Sequence, residues 1–538
     1  MLEYNVLDKY ASSSSFCKTA ENGMVCTSNY LAADVGAQIM RHGGNAVDGA
    51  VATAAALTVL EPVSNGIGSD AFAIVWMNNN LYGMNASGRA PHNITSEKIK
   101  AMGFNEMPST GWLPVIVPGA PKAWAELVEI FGNLPLSIDL EPAIKLAEEG
   151  FTLSPALAYL WNKYVNKHYS EFVSKPEHEE WFRIFTKNSK PYLFGDHFEN
   201  PDLAKTLKLI GTSSADEFYK GEIAEEFIRE SNQFNGFFER RDLTDYQVEW
   251  VKPISINYRG IDVFELPPNG QGIVALMALN ILRQLNLDEM SDVDRYHYQF
   301  EAMKMAFSDG FQFITDPSEM SVDIKRYLED QYGAQRASQI NENAINPKPL
   351  DIPRTGTVYL CTADPDGNMV SYIQSNYQDF GSGIVLKGYG VSLENRGRDF
   401  SLDPSNANYL KGGKRSYHTI IPGFLMDHGK PLGPFGVMGG YMQPQGHVQV
   451  LTNLIDLHDN PQKALDMPRW QYKPQDGTFC VEPDFPEMSM RELKNRGHII
   501  SRASNCFSFG RGQMILNLNE HAYIGACEAR TDSGIACW

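Results

Sequence analysis

Cysteine is scarce in this 538-residue sequence: seven residues, an odd number, with no two spaced as C-x-x-C. That excludes a disulfide framework and a zinc knuckle and leaves a reducing cytoplasm as the expected compartment. Long apolar runs are missing too. The longest, Gly49 to Leu60, is rich in Ala, falls short of the ~20 residues that cross a bilayer, and reads as a buried helix. The first residues show no basic stretch leading into an apolar one, so no secretory signal is expected. Positive charge is in deficit, with 46 Lys and Arg against 65 Asp and Glu and a formal net charge of −19. Neither a nucleic acid nor an anionic membrane is the expected partner of such a chain. There is no G-x-S-x-G, which removes the α/β-hydrolase route. The 12 histidines include no i, i+4 pair bracketed by acids, so no metal is expected. Gly66-Ile-Gly68 lacks the third glycine and the preceding strand of a dinucleotide loop, and Gly381-Ser-Gly383 reads as a turn. No cofactor is expected.

What is present is a mixed α/β pattern. After a polar, Ser-rich arm over residues 1–23, Leu31, Val35, Ile39 and Met40 fall on one helical face that stops at Gly43-Gly44. A second helix is expected from Ala46 to Leu60, then a hairpin, Ala71 to Trp76 and Asn80 to Met84. Helices follow over Lys122 to Phe131, Pro142 to Glu149, Ala215 to Phe234, Gly272 to Leu285 and Asp292 to Phe311, with strands at Ile254 to Tyr258 and Ile261 to Glu265. Asn341 to Arg354 carries Pro347, Pro349 and Pro353 and reads as an exposed, extended segment. Beyond it the period changes from 3.6 to 2. Thr357 to Ala363 and Met369 to Ser375 are β-prone and joined by the turn sequence Asp364-Pro-Asp-Gly-Asn368. Further strands are expected at Ile384 to Val385, Gly423 to Met426 and Phe435 to Val437, and a helix from Gly446 to Leu457. Helices early and late with strands between them imply two sheets covered by helices.

One short element carries chemistry: Arg354-Thr-Gly-Thr357, where the proline-rich segment meets a strand. A threonine opening a strand is ordinarily a β-former packing its methyl group. Here Gly356 lets the backbone bend, so the Thr357 hydroxyl can attack the preceding carbonyl and release a new N-terminus. An α-amine has an unperturbed pKa of about 7.7–8.0 and can serve as general base for the hydroxyl on the same residue.

The stretches TVYLCTADPDGNMVS, FGSGIV and FGVMGG resemble the small-subunit region of the γ-glutamyltransferase family, and the resemblance extends over residues 24–538. GGNAVDGAVATAAALTVLEP, VPGAPKAW, LEPAIKLAEEGF, PPNGQG, EAMKMAFSD and GACEARTDSG carry the rest of it. It implies a four-layered αββα sandwich of the N-terminal-nucleophile hydrolase type. It also implies cleavage between Gly356 and Thr357 into a large-subunit region, 24–356, and a small-subunit region, 357–538, that remain one intertwined unit, with further dimerisation left open. Thr357 takes the place of the nucleophile and Ser375 that of the hydroxyl bonded to it. Gly439 and Gly440 take the place of the oxyanion-hole pair. Val358 and Tyr359 stand where the family usually has threonine and histidine.

The positions that read a γ-glutamyl group are altered. Ser87 replaces the arginine, with Arg89 two residues on; His418 and Thr419 replace a serine pair; Tyr377 and Arg396 replace amides, while Asp399 is kept. The expected activity is acyl transfer through Thr357 to water or an amine, from a γ-glutamyl compound such as glutathione or from another small acyl amide. Two arginines beside one aspartate favour a dicarboxylic monoamide, as in a cephalosporin-acylase-like enzyme. An unprocessed, non-enzymatic scaffold is the competing expectation.

Overall fold

The computed structural model describes residues 16–345, 356–519 and 522–538. Two seven-stranded sheets form its centre. Across the first, the strands run Lys18–Ala20, Ala522–Cys527, Arg511–Asn519, Lys430–Met438, Gly423–Asp427, Ile261–Glu265 and Ile254–Tyr258. Across the second they run Gly534–Cys537, Met24–Thr27, Gly356–Ala363, Met369–Tyr377, Asp70–Met77, Asn80–Ala86 and Glu249–Val251. Neighbours are antiparallel in both.

Period-2 alternation sorts each strand between two buried layers. In Gly356–Ala363, Val358 and Leu360 join the core beneath one set of helices, whereas Tyr359, Cys361 and Ala363 meet the facing sheet. Both faces are apolar because neither reaches water, which explains why the run reads as nearly continuous hydrophobicity. Helices Tyr30–Arg41, Ala46–Leu60 and Ala120–Phe131 cover the second sheet, and Gly272–Leu282, Asp292–Gly310 and Met442–Ile455 cover the first. The order helix, sheet, sheet, helix is a four-layered αββα sandwich.

Ala46–Leu60 is buried along its whole length, so its small side chains suit close approach rather than a one-sided face. A Cβ on Gly36 would come within 2.1 Å of Thr53 Oγ1 and 2.8 Å of the Gly49 carbonyl, so Tyr30–Arg41 packs there almost backbone to backbone. Asn45 starts the buried helix with a capping box closed by Asp48. No helix among the described residues is long and apolar enough to cross a membrane.

Several element boundaries differ from expectation. The single helix expected from Ala215 to Phe234 is two, Asp216–Tyr219 and Glu222–Gln233, because Gly221 favours a break over helix interior. The helix expected from Gly446 begins at Met442; Pro444 lies in its first turn, where a missing N–H leaves no bond unmade. Pro155–Phe172 and Pro201–Ser213 are helices not anticipated. Of the proline-rich stretch, 346–355 lies outside the described residues.

Residues on both sides of Thr357 supply strands to both sheets. Gly356–Ala363 itself lies between Met24–Thr27 and Met369–Tyr377. The two regions expected from the sequence are therefore interleaved, not side by side.

Candidate active site

Thr357 is the second residue of a central strand and is fully buried. Its ladder to Met369–Tyr377 is irregular there: Gly356 pairs with Tyr377 and Val358 with Gln374, so Ser375 and Asn376 together face Thr357. Such a bulge re-aims side chains. Thr357 Oγ1 lies 3.2 Å from Ser375 Oγ and 3.4 Å from Gln443 Nε2. Ser375 Oγ also accepts the Tyr377 N–H at 2.8 Å.

Gly439 and Gly440 connect Lys430–Met438 to the helix Met442–Ile455 with φ of +129° and +59°. Glycine is suited to this corner because L side chains avoid that region. The Gly439 carbonyl accepts Met442 N and the Gly440 carbonyl accepts Gln443 N. With the Gly439 carbonyl turned into the helix, the trans peptide points the Gly440 N–H away from it. Gln443, in the first turn of that helix, links the glycine pair to Thr357.

A second group of side chains adjoins Ser375. Tyr377 is buried with φ of +73°, an outlier for a bulky residue. Its ring lies under Arg396, 3.8 Å from the guanidinium carbon, and its hydroxyl donates to Asp399 Oδ1. Arg396 Nη1 donates to Thr419 Oγ1 at 2.8 Å and stands 3.5 Å from Asp399 Oδ2. Arg396 Nε and Nη2, although buried, make no hydrogen bond, and neither does Asp399 Oδ2. Burial pushes Asp399 up to about 6, held back from a larger rise by Arg396 and the Tyr377 hydroxyl.

His418 is placed differently from expectation. One ring nitrogen bonds Asp70 Oδ2 at 2.8 Å and the other accepts Ile420 N at 3.3 Å, so both are engaged within the fold. Burial and the charges of Arg396 and Arg415 hold it well below the ordinary imidazole range, as a neutral ring. Burial lifts Asp70 to about 7 and drives Glu394 well above the usual carboxylate range. Glu394 accepts the backbone N–H groups of Ile116 and Arg396, which fixes the start of the turn that carries Arg396.

Arg89 also departs from expectation. Its guanidinium bonds Asp316 at 2.8 Å, the Gly413 carbonyl at 3.0 Å and Glu249 at 3.1 Å, on a cavity of about 150 Å³ lined also by His92, Asp242 and Tyr246. None of these contacts is with the Thr357 group. Ser87 is buried against Asn85 and Asn269. The reason is strand geometry: Ser87 and Arg89 leave the end of Asn80–Ala86, where neighbouring carboxylates take the longer side chain.

Two residues were not singled out by the sequence: Gln443 and Gln271. Gln271 Nε2 donates to the Gly440 carbonyl at 2.9 Å and the Thr419 carbonyl at 2.7 Å, tying the glycine corner to the Arg396 group. The quoted PPNGQG motif contained it without revealing a role, since only the fold brings residues 271, 419 and 440 together.

Elsewhere, His297, Glu301 and His498 bring three donor atoms within 4.8 Å of one another; the i, i+4 pair His297 and Glu301 had gone unnoticed. Lys304 Nζ already fills the place of a cation, 2.8 Å from Glu301 and 3.4 Å from His498 Nδ1. His297 Nδ1 meets His498 Nε2 at 2.8 Å, and His297 Nε2 bonds the Asn341 carbonyl. One run of N–H donors from Lys304 through two neutral rings satisfies every atom, and burial keeps both imidazoles low, His498 at about 2. This is a structural clamp on Asn341 to Ile345.

The αββα sandwich is the fold of the N-terminal-nucleophile hydrolases. Residues 32–538 match the gamma-glutamyltranspeptidase family, and the chain is an enzyme belonging to it. The crystal structure of cephalosporin acylase from Bacillus halodurans is similar with a TM-score of 0.95 and 48% identity, covering 99% of each chain. The glutathione hydrolase-like YwrD proenzyme of Bacillus subtilis (strain 168) is 33% identical over 486 residues, 89% of this chain and 91% of the relative. The oxamate amidohydrolase proenzyme of Klebsiella pneumoniae is 29% identical over 488 residues, 89% of this chain and 91% of the relative.

Proposed function

We propose that this chain cleaves itself between Gly356 and Thr357 and then, through Thr357, removes acyl groups that end in a carboxylate from small amides. The observation that carries the choice of acyl group is Arg396, a buried guanidinium with Nε and Nη2 unbonded. A buried charge without full pairing costs several kcal/mol, and a substrate carboxylate supplies the missing acceptors in the paired geometry that suits guanidinium. Asp399 compensates the guanidinium charge only above about pH 6, since burial favours the neutral acid below that, and it leaves Nε and Nη2 without an acceptor. The name of the Bacillus halodurans relative, an acylase, and that of the Klebsiella relative, whose oxamate is itself a dicarboxylic monoamide, support the same direction.

In processing, Thr357 Oγ1 bonds to the Gly356 carbonyl carbon, the C–N bond breaks as the nitrogen takes the hydroxyl proton, and water hydrolyses the ester. The freed α-amine then removes the proton of Oγ1 as it attacks a substrate amide. The oxyanion faces Gly440 N–H, and the departing amine leaves with that proton. Water, deprotonated by the α-amine, attacks the acyl-enzyme; Oγ1 leaves, takes the proton back, and the dicarboxylic acid departs. An amine in place of water yields a new amide.

Arg396→Met should lower kcat/KM for a glutaryl anilide about 100-fold, the loss of a charge-assisted pair, while a butyryl anilide, uncharged, changes little. Efficient turnover of a γ-glutamyl anilide that Asp399→Ala abolishes and Arg396→Met leaves untouched would restore the glutamyl reading, which the glutathione hydrolase-like relative favours.

The pH dependence separates the two donors by sign. Asp399 has a raised folded value of about 6, so it gains its proton as pH falls through 6. That leaves Arg396 less compensated while the substrate carboxylate, at about 4.3, is still charged. KM for the glutaryl donor should fall between pH 7.5 and 5.5. KM for a γ-glutamyl donor should rise, because its ammonium needs ionised Asp399. Asp399→Asn should flatten both trends; parallel trends for the two donors would remove Asp399 from acyl recognition.

A further inference from the structure

Among the described contacts of Thr357 Oγ1 are two side chains, Ser375 and Gln443; Ser375 stands at a place the sequence could assign. The other is Gln443, whose amide is held in a single orientation. Gln443 Oε1 accepts the Ile421 N–H at 2.9 Å, so Nε2 is the atom turned to Thr357 Oγ1 at 3.4 Å. Its backbone N–H is fixed to the Gly440 carbonyl, and Gln271 Nε2 holds that same carbonyl from the other side at 2.9 Å. The side chain is fully buried at the first turn of Met442–Ile455. A buried amide with one end bonded to backbone and the other aimed at a reactive hydroxyl is a preorganised donor; bonds of this kind are often long at rest and shorten as charge develops.

We infer that Gln443 is a catalytic residue of this enzyme, donating from Nε2 to Thr357 Oγ1 whenever that oxygen carries negative charge. The inference rests on the Thr357 reading above and adds to it a leaving-group role. Charge builds on Oγ1 twice: when the α-amine takes its proton for attack, and when the acyl carbon–Oγ1 bond breaks during ester hydrolysis. In the second event Oγ1 departs with the bonding pair, and Gln443 Nε2 stabilises it until the α-amine returns the proton. The same departure completes self-cleavage, where the acyl group is the chain ending at Gly356. The Ser375 hydroxyl also meets Oγ1, but a hydroxyl can rotate about its C–O bond, whereas an amide pinned through Oε1 keeps its N–H fixed. The N–H of Gly440 and the amide of Gln443 then act on the two oxygens of one tetrahedral intermediate, the oxyanion and Oγ1, from two positions three residues apart at one helix start.

The test uses the full chain with Gln443→Met and Gln443→Glu. Self-cleavage is followed as the appearance of the fragment beginning at Thr357, and turnover of the processed enzyme is measured with a glutaryl anilide and a butyryl anilide. For Gln443→Met, cleavage and kcat should each fall roughly 10- to 100-fold, the worth of a hydrogen bond to a charged oxygen, with KM within about threefold for both donors. In Gln443→Glu one carboxyl oxygen still accepts Ile421 N–H while the other faces Oγ1. It repels when ionised and donates when protonated, so the rate relative to wild type should rise as pH is lowered. A role in packing alone predicts no such slope. Wild-type cleavage and kcat in a folded Gln443→Met would overturn the inference; if that variant does not fold, a pH-independent, wild-type rate in Gln443→Glu overturns it instead. A wild-type chain that never cleaves overturns the Thr357 reading itself, which separates the two failures.

Discussion

Thr357→Ala is expected to run on a denaturing gel as one chain of 60.1 kDa and to turn over no anilide, while the wild type resolves into fragments of 356 and 182 residues. The effect is complete because both events need the same oxygen: without Oγ1 there is neither an acyl shift at Gly356 nor, later, an acyl-enzyme. The wild-type fragments should co-elute under native conditions, since Gly356–Ala363 is bonded on one side to Met24–Thr27 and on the other to Met369–Tyr377. Removing the hydroxyl leaves the β-ladder and the Val358 and Leu360 packing in place, so the variant should melt as cooperatively as the precursor. Two bands from Thr357→Ala would mean that the cut is made elsewhere or by another protease.

Gly440→Val is expected to fold and to lose turnover by about 10²- to 10³-fold, the usual consequence of removing one oxyanion donor. At φ of +59° a side chain with Cβ costs about 1–2 kcal/mol, more for a branched one, and the corner relieves that strain by rotating the peptide and its N–H. Gln271 and Gln443 hold the Gly440 carbonyl from two sides, so the movement is local and the melting temperature should drop only modestly. KM should change less than kcat, because the lost interaction is made in the transition state. A variant with unchanged kcat would place the oxyanion elsewhere.

The αββα order and the boundaries of Ala46–Leu60, Ile254–Tyr258 and Ile261–Glu265 were legible in the sequence, since capping residues, glycine stops and the change of period from 3.6 to 2 are local signals. Thr357, Ser375 and Gly439-Gly440 were singled out through family motifs; Ser375 lies 3.2 Å from Thr357 Oγ1, and Gln443 links the glycine pair to the same oxygen. Pro155–Phe172 was not, because its stretch has little amphipathic contrast. Arg89 was misplaced for a different reason. Its proximity in sequence to the altered arginine position said nothing about Asp316 and Glu249, which arrive from distant segments and bind it.

By itself, then, the sequence determined the layered class and the family and singled out Thr357 as the nucleophile to propose, because each rests on short stretches whose meaning does not depend on what packs against them. Only the tertiary structure decided which charges meet. It left Arg396 with free donors over Tyr377, engaged both nitrogens of His418, kept Arg89 away from Thr357, and brought Gln443 and Gln271 to the glycine corner. Charge pairing, desolvation and hydrogen-bond direction depend on distances of a few ångströms between residues as far as 348 positions apart, and no local pattern encodes those distances.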